Sequence, residues 1–172
     1  MSQLTVYRII TYILLPFATL FALLTLVGLL VALANPQALL GVFFMACIVI
    51  YTFTSFSFLQ KIGPLKPAKP SLKDWIKVNA YVSVFFSTTI IIQTYFFFHD
   101  PNIAKAFIEQ FISAQGSNAS VAVLTPEKIR AILNGVFEVF AAYAAVLLVH
   151  IFLTFRLLRQ FASLFAAAHS SE

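Results

Sequence analysis

The chain has 172 residues, of which 61% are hydrophobic and only 10% charged, and its net charge is +5. A soluble domain keeps roughly a quarter of its residues charged, because its surface faces water. A mean hydropathy of +0.95 therefore excludes an ordinary soluble protein and indicates an integral membrane protein.

Four apolar segments are predicted to form transmembrane helices, at about 5–34, 37–60, 71–98 and 126–162. Each contains the run of about 20 apolar residues that crosses a hydrocarbon core of about 30 Å. Backbone groups in lipid must be hydrogen-bonded internally, and long, uniformly apolar segments do not suit a β-barrel. The predicted fold class is therefore an all-α, four-transmembrane-helix bundle, a single membrane domain spanning residues 1–172.

The sequence LANPQ at residues 33–37 predicts a tight turn after the first helix. Asn35 is suited to end one helix and Pro36 to begin the next. Gly28 and Ala32 are small residues four apart, a spacing that lets helices approach closely. We therefore expect helices one and two to form a close antiparallel hairpin.

The connection between helices two and three, residues 61–77, is strongly basic. Its lysines are Lys61, Lys66, Lys69, Lys73 and Lys77. Together with Arg8, Arg156 and Arg159 they place eight basic residues on one side of the predicted membrane, against three on the other. The positive-inside rule puts the first side, with both chain termini, in the cytoplasm. The expected location is a cytoplasmic membrane, either a bacterial inner membrane or a plasma membrane.

Three interpretations of these lysines stay open. Their simplest role is to retain the connection inside the cell. They are also expected to attract anionic lipid headgroups, at about 1 kcal/mol for each lysine near a charged surface. Finally, Pro64, Pro67 and Pro70 recur at the period of a polyproline II helix, which SH3-type domains bind.

The third connection predicts a short amphipathic helix at about 101–114. Its apolar residues share one helical face, while Lys105 and Glu109 fall off that face. Such a helix lies along a membrane interface or covers the end of a bundle. Thr125 and Pro126 then resemble the cap and first residue of the fourth transmembrane helix.

The sequence contains no recognisable catalytic arrangement. Cys47 is the single cysteine, and no phosphate-binding loop, metal-binding histidine pair or nucleophile motif is present. We therefore predict a protein that is not an enzyme and has neither a cofactor nor a metal site.

The candidate polar pocket consists of Glu138, Asn134, Gln93 and His150. Glu138 lies 18 residues before Arg156, or about 27 Å along a helix, which places it near the outer boundary. Asn134 and Gln93 are expected at a similar level, where they line a pocket or form a hydrogen-bonded clasp between helix ends. His150 lies deeper in the membrane and is expected to hydrogen-bond a hydroxyl or a carbonyl.

Two classes of function fit these features. The first is a non-enzymatic structural or accessory subunit that acts through helix packing with itself or with a partner. The alternative is a small oligomeric channel or transporter with a polar path near Glu138. The expected partners are the lipid bilayer, its anionic headgroups, and further copies of the chain or another membrane protein, and not nucleic acid.

Overall fold

The structure, a computed structural model, describes residues 3–115 and 125–166. Every element in these ranges is a helix: α1 (Gln3–Ala34), α2 (Ala38–Ile62), α3 (Pro70–His99), α4 (Pro101–Gln115), α5 (Pro126–Gln160) and α6 (Ser163–Ala166). Helices α1, α2, α3 and α5 are long and apolar enough to cross a membrane. The all-helical prediction with four candidate spans is confirmed, and each predicted helix end lies within two residues of the observed one.

The helices belong to two compact units. Unit one comprises Met1–Phe86 and Val146–Glu172, and unit two comprises Ser87–Ala145. The division runs through α3 and α5, so each of these helices contributes to both units. That residues 1–172 fold as one membrane domain stays a prediction.

Helices α1 and α2 pack against each other along a regular seam. Five of the buried residues of α1 recur at alternating intervals of four and three: Tyr7, Thr11, Leu14, Ala18 and Phe21. This spacing keeps one face of a helix against its neighbour, as in a coiled coil. Further along, a Cβ atom added to Gly28 would lie 2.8 Å from Cγ2 of Val42, so the two backbones come close together there.

The turn between α1 and α2 is closed by local hydrogen bonds. The Asn35 N–H donates to the Val31 carbonyl at 2.9 Å, and the Leu39 N–H donates to the Pro36 carbonyl at 3.1 Å. The Asn35 side-chain oxygen accepts from the Gln37 N–H at 3.2 Å. These bonds satisfy backbone groups that the two helix ends leave free. The tight turn predicted from LANPQ is confirmed.

Helix α2 ends in a Schellman motif, with a leucine where glycine is usual. The Lys66 N–H donates to the Lys61 carbonyl at 3.0 Å, and the Leu65 N–H donates to the Ile62 carbonyl at 3.2 Å. Leu65 has a φ of 52°, a left-handed conformation that strains any residue with a Cβ atom. Since polyproline II requires a φ near −75°, the prolines flanking Leu65 do not form one continuous polyproline II helix.

The end of the described chain packs against the connection between α2 and α3. The Ala68 N–H donates to the Leu164 carbonyl at 3.0 Å. The Phe165 ring stacks on Phe58 with 5.7 Å between centroids. The hydrogen bond holds the connection at Ala68, which is buried in unit one although residues 66–69 lie outside the helices.

In unit two, α4 is amphipathic as predicted. Lys105 and Glu109 form an exposed ion pair at 3.8 Å on its polar side. On the other side Phe107 meets the Phe137 ring of α5 edge-on at 5.4 Å, and Phe137 stacks on Phe97 of α3 at 4.3 Å. A small aromatic core therefore joins the three helices of this unit.

Candidate functional site

His150 is fully buried in unit one, between side chains of three helices. Its Nε2 atom lies 2.8 Å from Oγ1 of Thr11 on α1. Its Nδ1 atom lies 2.8 Å from the hydroxyl of Tyr51 on α2. Both ring nitrogens are thus engaged by hydroxyl groups, the kind of partner expected from the sequence.

Two aromatic rings hold the imidazole in place. The Tyr7 ring stacks on it with 4.7 Å between centroids and 12° between planes. The Tyr51 ring meets it edge-on at 5.6 Å. The Tyr7 hydroxyl donates to the Ser55 backbone carbonyl at 3.1 Å, which ties α1 to α2. We call Tyr7, Thr11, Tyr51, His150 and Thr154 the His150 cluster.

The hydrogen bonds indicate which imidazole nitrogen carries the proton. The Thr11 hydroxyl donates its only proton to the Tyr7 carbonyl at 2.7 Å, so it accepts at its second contact. A neutral imidazole has one donor and one acceptor nitrogen. Nε2 therefore donates to Thr11, and Nδ1 accepts from the Tyr51 hydroxyl.

Thr154 completes the chain of hydroxyls. Its Oγ1 lies 2.8 Å from the Tyr51 hydroxyl and 2.8 Å from the His150 backbone carbonyl. Because Tyr51 donates to the imidazole, Thr154 has one proton for two acceptors. From Tyr51 the donors all point the same way, through His150 and Thr11 to the Tyr7 carbonyl, an order in which neighbouring hydrogen bonds strengthen one another.

The His150 cluster joins side chains of α1, α2 and α5 within unit one. All five of its side chains are fully buried. The described chain ends on the backbone carbonyls of Tyr7 and His150, which have no proton to pass on. Within the described residues, no group of three or more His, Cys, Asp or Glu side chains lies close enough together to hold a metal ion.

Sequence reasoning identified His150 but missed its partners. The available signal is a spacing of four residues on each helix: Tyr7 with Thr11 and His150 with Thr154. Residues four apart lie on the same helical face. An aromatic or imidazole side chain four residues from a threonine forms a polar stripe along one face of an otherwise apolar helix. The spacing does not show which helices bring their polar stripes into contact.

The other predicted pocket residues lie in unit two. The side chains of Glu138 and Gln93 are exposed, and that of Asn134 is half-buried. Across the described part of the chain, none of these three side chains forms a hydrogen bond or an ion pair. His150 belongs to unit one. Their assembly into one polar pocket stays a prediction.

The five predicted lysines lie in unit one, around the connection between α2 and α3. Lys61 lies in the last turn of α2, and Lys66 and Lys69 are exposed in the connection. Lys73 and Lys77 are half-buried near the start of α3. Among residues 3–115 and 125–166, none of these lysines forms an ion pair with a carboxylate. The Lys73 ammonium lies 5.8 Å from the centroid of the Phe165 ring.

No protein-family model, curated protein or solved structure matches the chain. A function for it is therefore argued from its own residues and their geometry.

Proposed function

We propose that this chain is a non-enzymatic integral membrane protein, a structural or accessory subunit that acts by packing its helices against another copy or a partner. Its four long apolar helices and its uneven distribution of basic residues support this proposal. In the proposed orientation, both termini and the connection between α2 and α3 face the cytoplasm. Anionic lipid headgroups contact the lysines of that connection.

The main observation behind this proposal is one face of α5 in unit two, where a second helix can pack. It consists of Gly135, Glu138, Ala142 and Ala145, spaced three, four and three residues apart, and all four are exposed. A Cβ atom added to Gly135 would meet nothing within 4 Å. Small residues at helical spacing let a second helix approach closely in lipid, where the gain comes from packing. We call these four residues the α5 face.

Glu138 makes contact between the α5 face and a second helix energetically favourable. An ionisable side chain facing hydrocarbon costs about 2.5–3.5 kcal/mol at the centre of a helix and less near its ends. Contact with a second helix replaces lipid by polar or backbone groups that hydrogen-bond the carboxyl. Packing of a second helix against the α5 face therefore lowers the free-energy cost of exposing the Glu138 carboxyl group to lipid.

The His150 cluster supports packing over transport. A transport path needs polar groups that reach water or a substrate at both ends. The histidine and its hydroxyl partners are fully buried, and the described hydrogen bonds end on backbone carbonyls. Such an arrangement holds α1, α2 and α5 together within one chain.

Association in lipid vesicles tests the proposal, with energy transfer between chains labelled with donor and acceptor dyes. Gly135→Leu fills the α5 face and is expected to reduce energy transfer to the level of unrelated membrane proteins. Gly41→Leu is the matched control, because Gly41 is also an exposed helical glycine with open space around it. Equal energy transfer for wild type and Gly135→Leu would contradict a role for this face.

Ion flux into the same vesicles separates the proposal from the alternative function. A packing subunit is expected to give no flux above that of empty vesicles, both as wild type and as Glu138→Gln. A wild-type flux that Glu138→Gln abolishes would overturn the proposal in favour of a channel or transporter.

A further inference from the structure

Three basic side chains surround a cleft of about 370 Å³ in unit one. Lys73 and Lys77 lie one turn apart on α3, and Arg159 lies near the end of α5. The rest of the cleft is formed by Tyr81, Phe155, Leu158 and Ala162. This cleft is separate from the His150 cluster and from the α5 face.

Within residues 3–115 and 125–166, the positive charges of the cleft have no carboxylate as a counterion. Lys73 and Lys77 are like charges at positions i and i+4, an arrangement that destabilises a helix. No carboxylate in the described ranges pairs with them or with Arg159. Asp74 is the only acidic residue between positions 1 and 86, and its side chain is exposed. The Lys73 ammonium instead lies 5.8 Å from the centroid of the Phe165 ring. A bound anion would offset this unbalanced charge.

The other end of the cleft is apolar and aromatic. The rings of Tyr81 and Phe155 lie 5.5 Å apart. Tyr81 is one turn beyond Lys77, toward the middle of α3, while Lys73 is one turn before it. The cleft is therefore cationic toward the end of the helix and apolar toward the middle of the predicted span. A phospholipid has the same order of groups, with a phosphate at the surface and acyl chains below it.

We propose that this cleft binds the phosphate group of an anionic phospholipid. Lys73, Lys77 and Arg159 contact the phosphate oxygens, and the guanidinium of Arg159 is suited to donate two parallel hydrogen bonds. Tyr81 and Phe155 contact the upper part of an acyl chain. The inference rests on the proposed function in one respect, the placement of this end of α3 and α5 at the cytoplasmic headgroups.

Native mass spectrometry of the purified protein in detergent, titrated with short-chain phosphatidylglycerol, tests the site. One variant carries Lys73→Gln, Lys77→Gln and Arg159→Gln. Its matched control carries Lys61→Gln, Lys66→Gln and Lys69→Gln, which removes the same charge from outside the cleft. We expect at least about tenfold weaker binding in the first variant and less than about threefold in the control. Arg159→Gln alone is a second variant that spares the half-buried lysines, and it is expected to weaken binding measurably.

Two comparisons identify the source of the phosphate. Phosphatidylcholine, which has no net charge, is expected to bind more weakly than phosphatidylglycerol. Glycerol phosphate has the charge but no acyl chain, and it too is expected to bind more weakly. Glycerol phosphate binding as tightly as the lipid would overturn the lipid assignment.

If the two triple variants bind phosphatidylglycerol equally weakly, the proposal that the cleft is a specific lipid site is wrong. The lipid would then be attracted by the basic residues in general. The proposed function is judged separately, by energy transfer in the Gly135→Leu variant. The lipid titration can therefore contradict the lipid site while the energy-transfer assay supports association through the α5 face. The opposite pair of results can be recognised in the same way.

Discussion

Replacing Tyr51 with phenylalanine removes one hydroxyl from the centre of the His150 cluster and keeps the ring. That hydroxyl contacts Nδ1 of His150 and Oγ1 of Thr154, each at 2.8 Å. The hydrogen bond to the imidazole is lost, and hydrogen bonds between membrane helices contribute about 0.6 kcal/mol each on average. The imidazole Nδ1 is then a buried acceptor without a donor, which costs about 1–3 kcal/mol. Thr154 keeps its bond to the His150 carbonyl. Both figures describe the loss of the same bond and are not added, so we expect the free energy of unfolding to fall by about 1–3 kcal/mol.

Reversible unfolding in mixed micelles, driven by an increasing fraction of denaturing detergent, measures this change. The matched control is Tyr12→Phe, because Tyr12 is also on a long apolar helix but is 55% exposed. Its loss of the same hydroxyl is expected to change stability by less than about 0.5 kcal/mol. Equal stability of the two variants would refute the assignment of Tyr51 as the link between α2 and the imidazole.

Two further changes test local features of unit one by the same unfolding assay. Leu65→Gly is expected to stabilise the protein by about 0.5–1 kcal/mol, because glycine adopts a positive φ without strain and the exposed leucine loses little packing; a loss of stability would contradict the strained cap. Gly28→Ala is expected to destabilise it by about 1–3 kcal/mol through overpacking against Val42, with part of the loss recovered when Val42→Ala is added. Gly41→Ala, in open space, is expected to be neutral or slightly stabilising, and a similar result for Gly28→Ala would contradict the close approach.

The helices could be predicted from the sequence because lipid imposes a simple rule. Each segment has to be apolar for about 20 residues, and the chain satisfies this four times. Two of the helix boundaries were predictable from proline and asparagine residues. The LANPQ turn separates α1 from α2 as expected. Pro126 begins α5, and the Thr125 Oγ1 accepts a hydrogen bond from the Lys128 N–H at 3.5 Å. Local sequence signals sufficed because these features depend on neighbouring residues alone.

The His150 cluster depends on residues far apart in the chain, and no local pattern reveals it. Thr11 and His150 are separated by 139 positions, and Tyr51 and His150 by 99. Four apolar helices can pack in several arrangements with the same hydropathy. The packing of side chains between all the helices decides which polar faces come into contact.

The α5 face shows a different limit of sequence reasoning. Because a carboxyl group in an apolar helix is costly, the sequence predicts that Glu138 lines a polar pocket or takes part in a hydrogen-bonded clasp between helix ends. In the structure its side chain is exposed beside small residues. An exposed ionisable group and a buried one look alike in a sequence, since the same helix has both lipid-facing and inward-facing positions. The sequence alone therefore does not show which way the Glu138 side chain points.

The placement of the chain in a membrane, with its lysines on the cytoplasmic side, underlies both proposals. Cysteine accessibility tests it directly, because Cys47 is the only cysteine and is buried, and Cys47→Ser provides a background without thiols. In that background Lys69→Cys and Lys105→Cys are each exposed to a membrane-impermeant maleimide in intact cells. The predicted result is labelling of the Lys105→Cys variant in intact cells and of the Lys69→Cys variant only after permeabilisation. Labelling of the Lys69→Cys variant in intact cells, or of neither variant until permeabilisation, would contradict it.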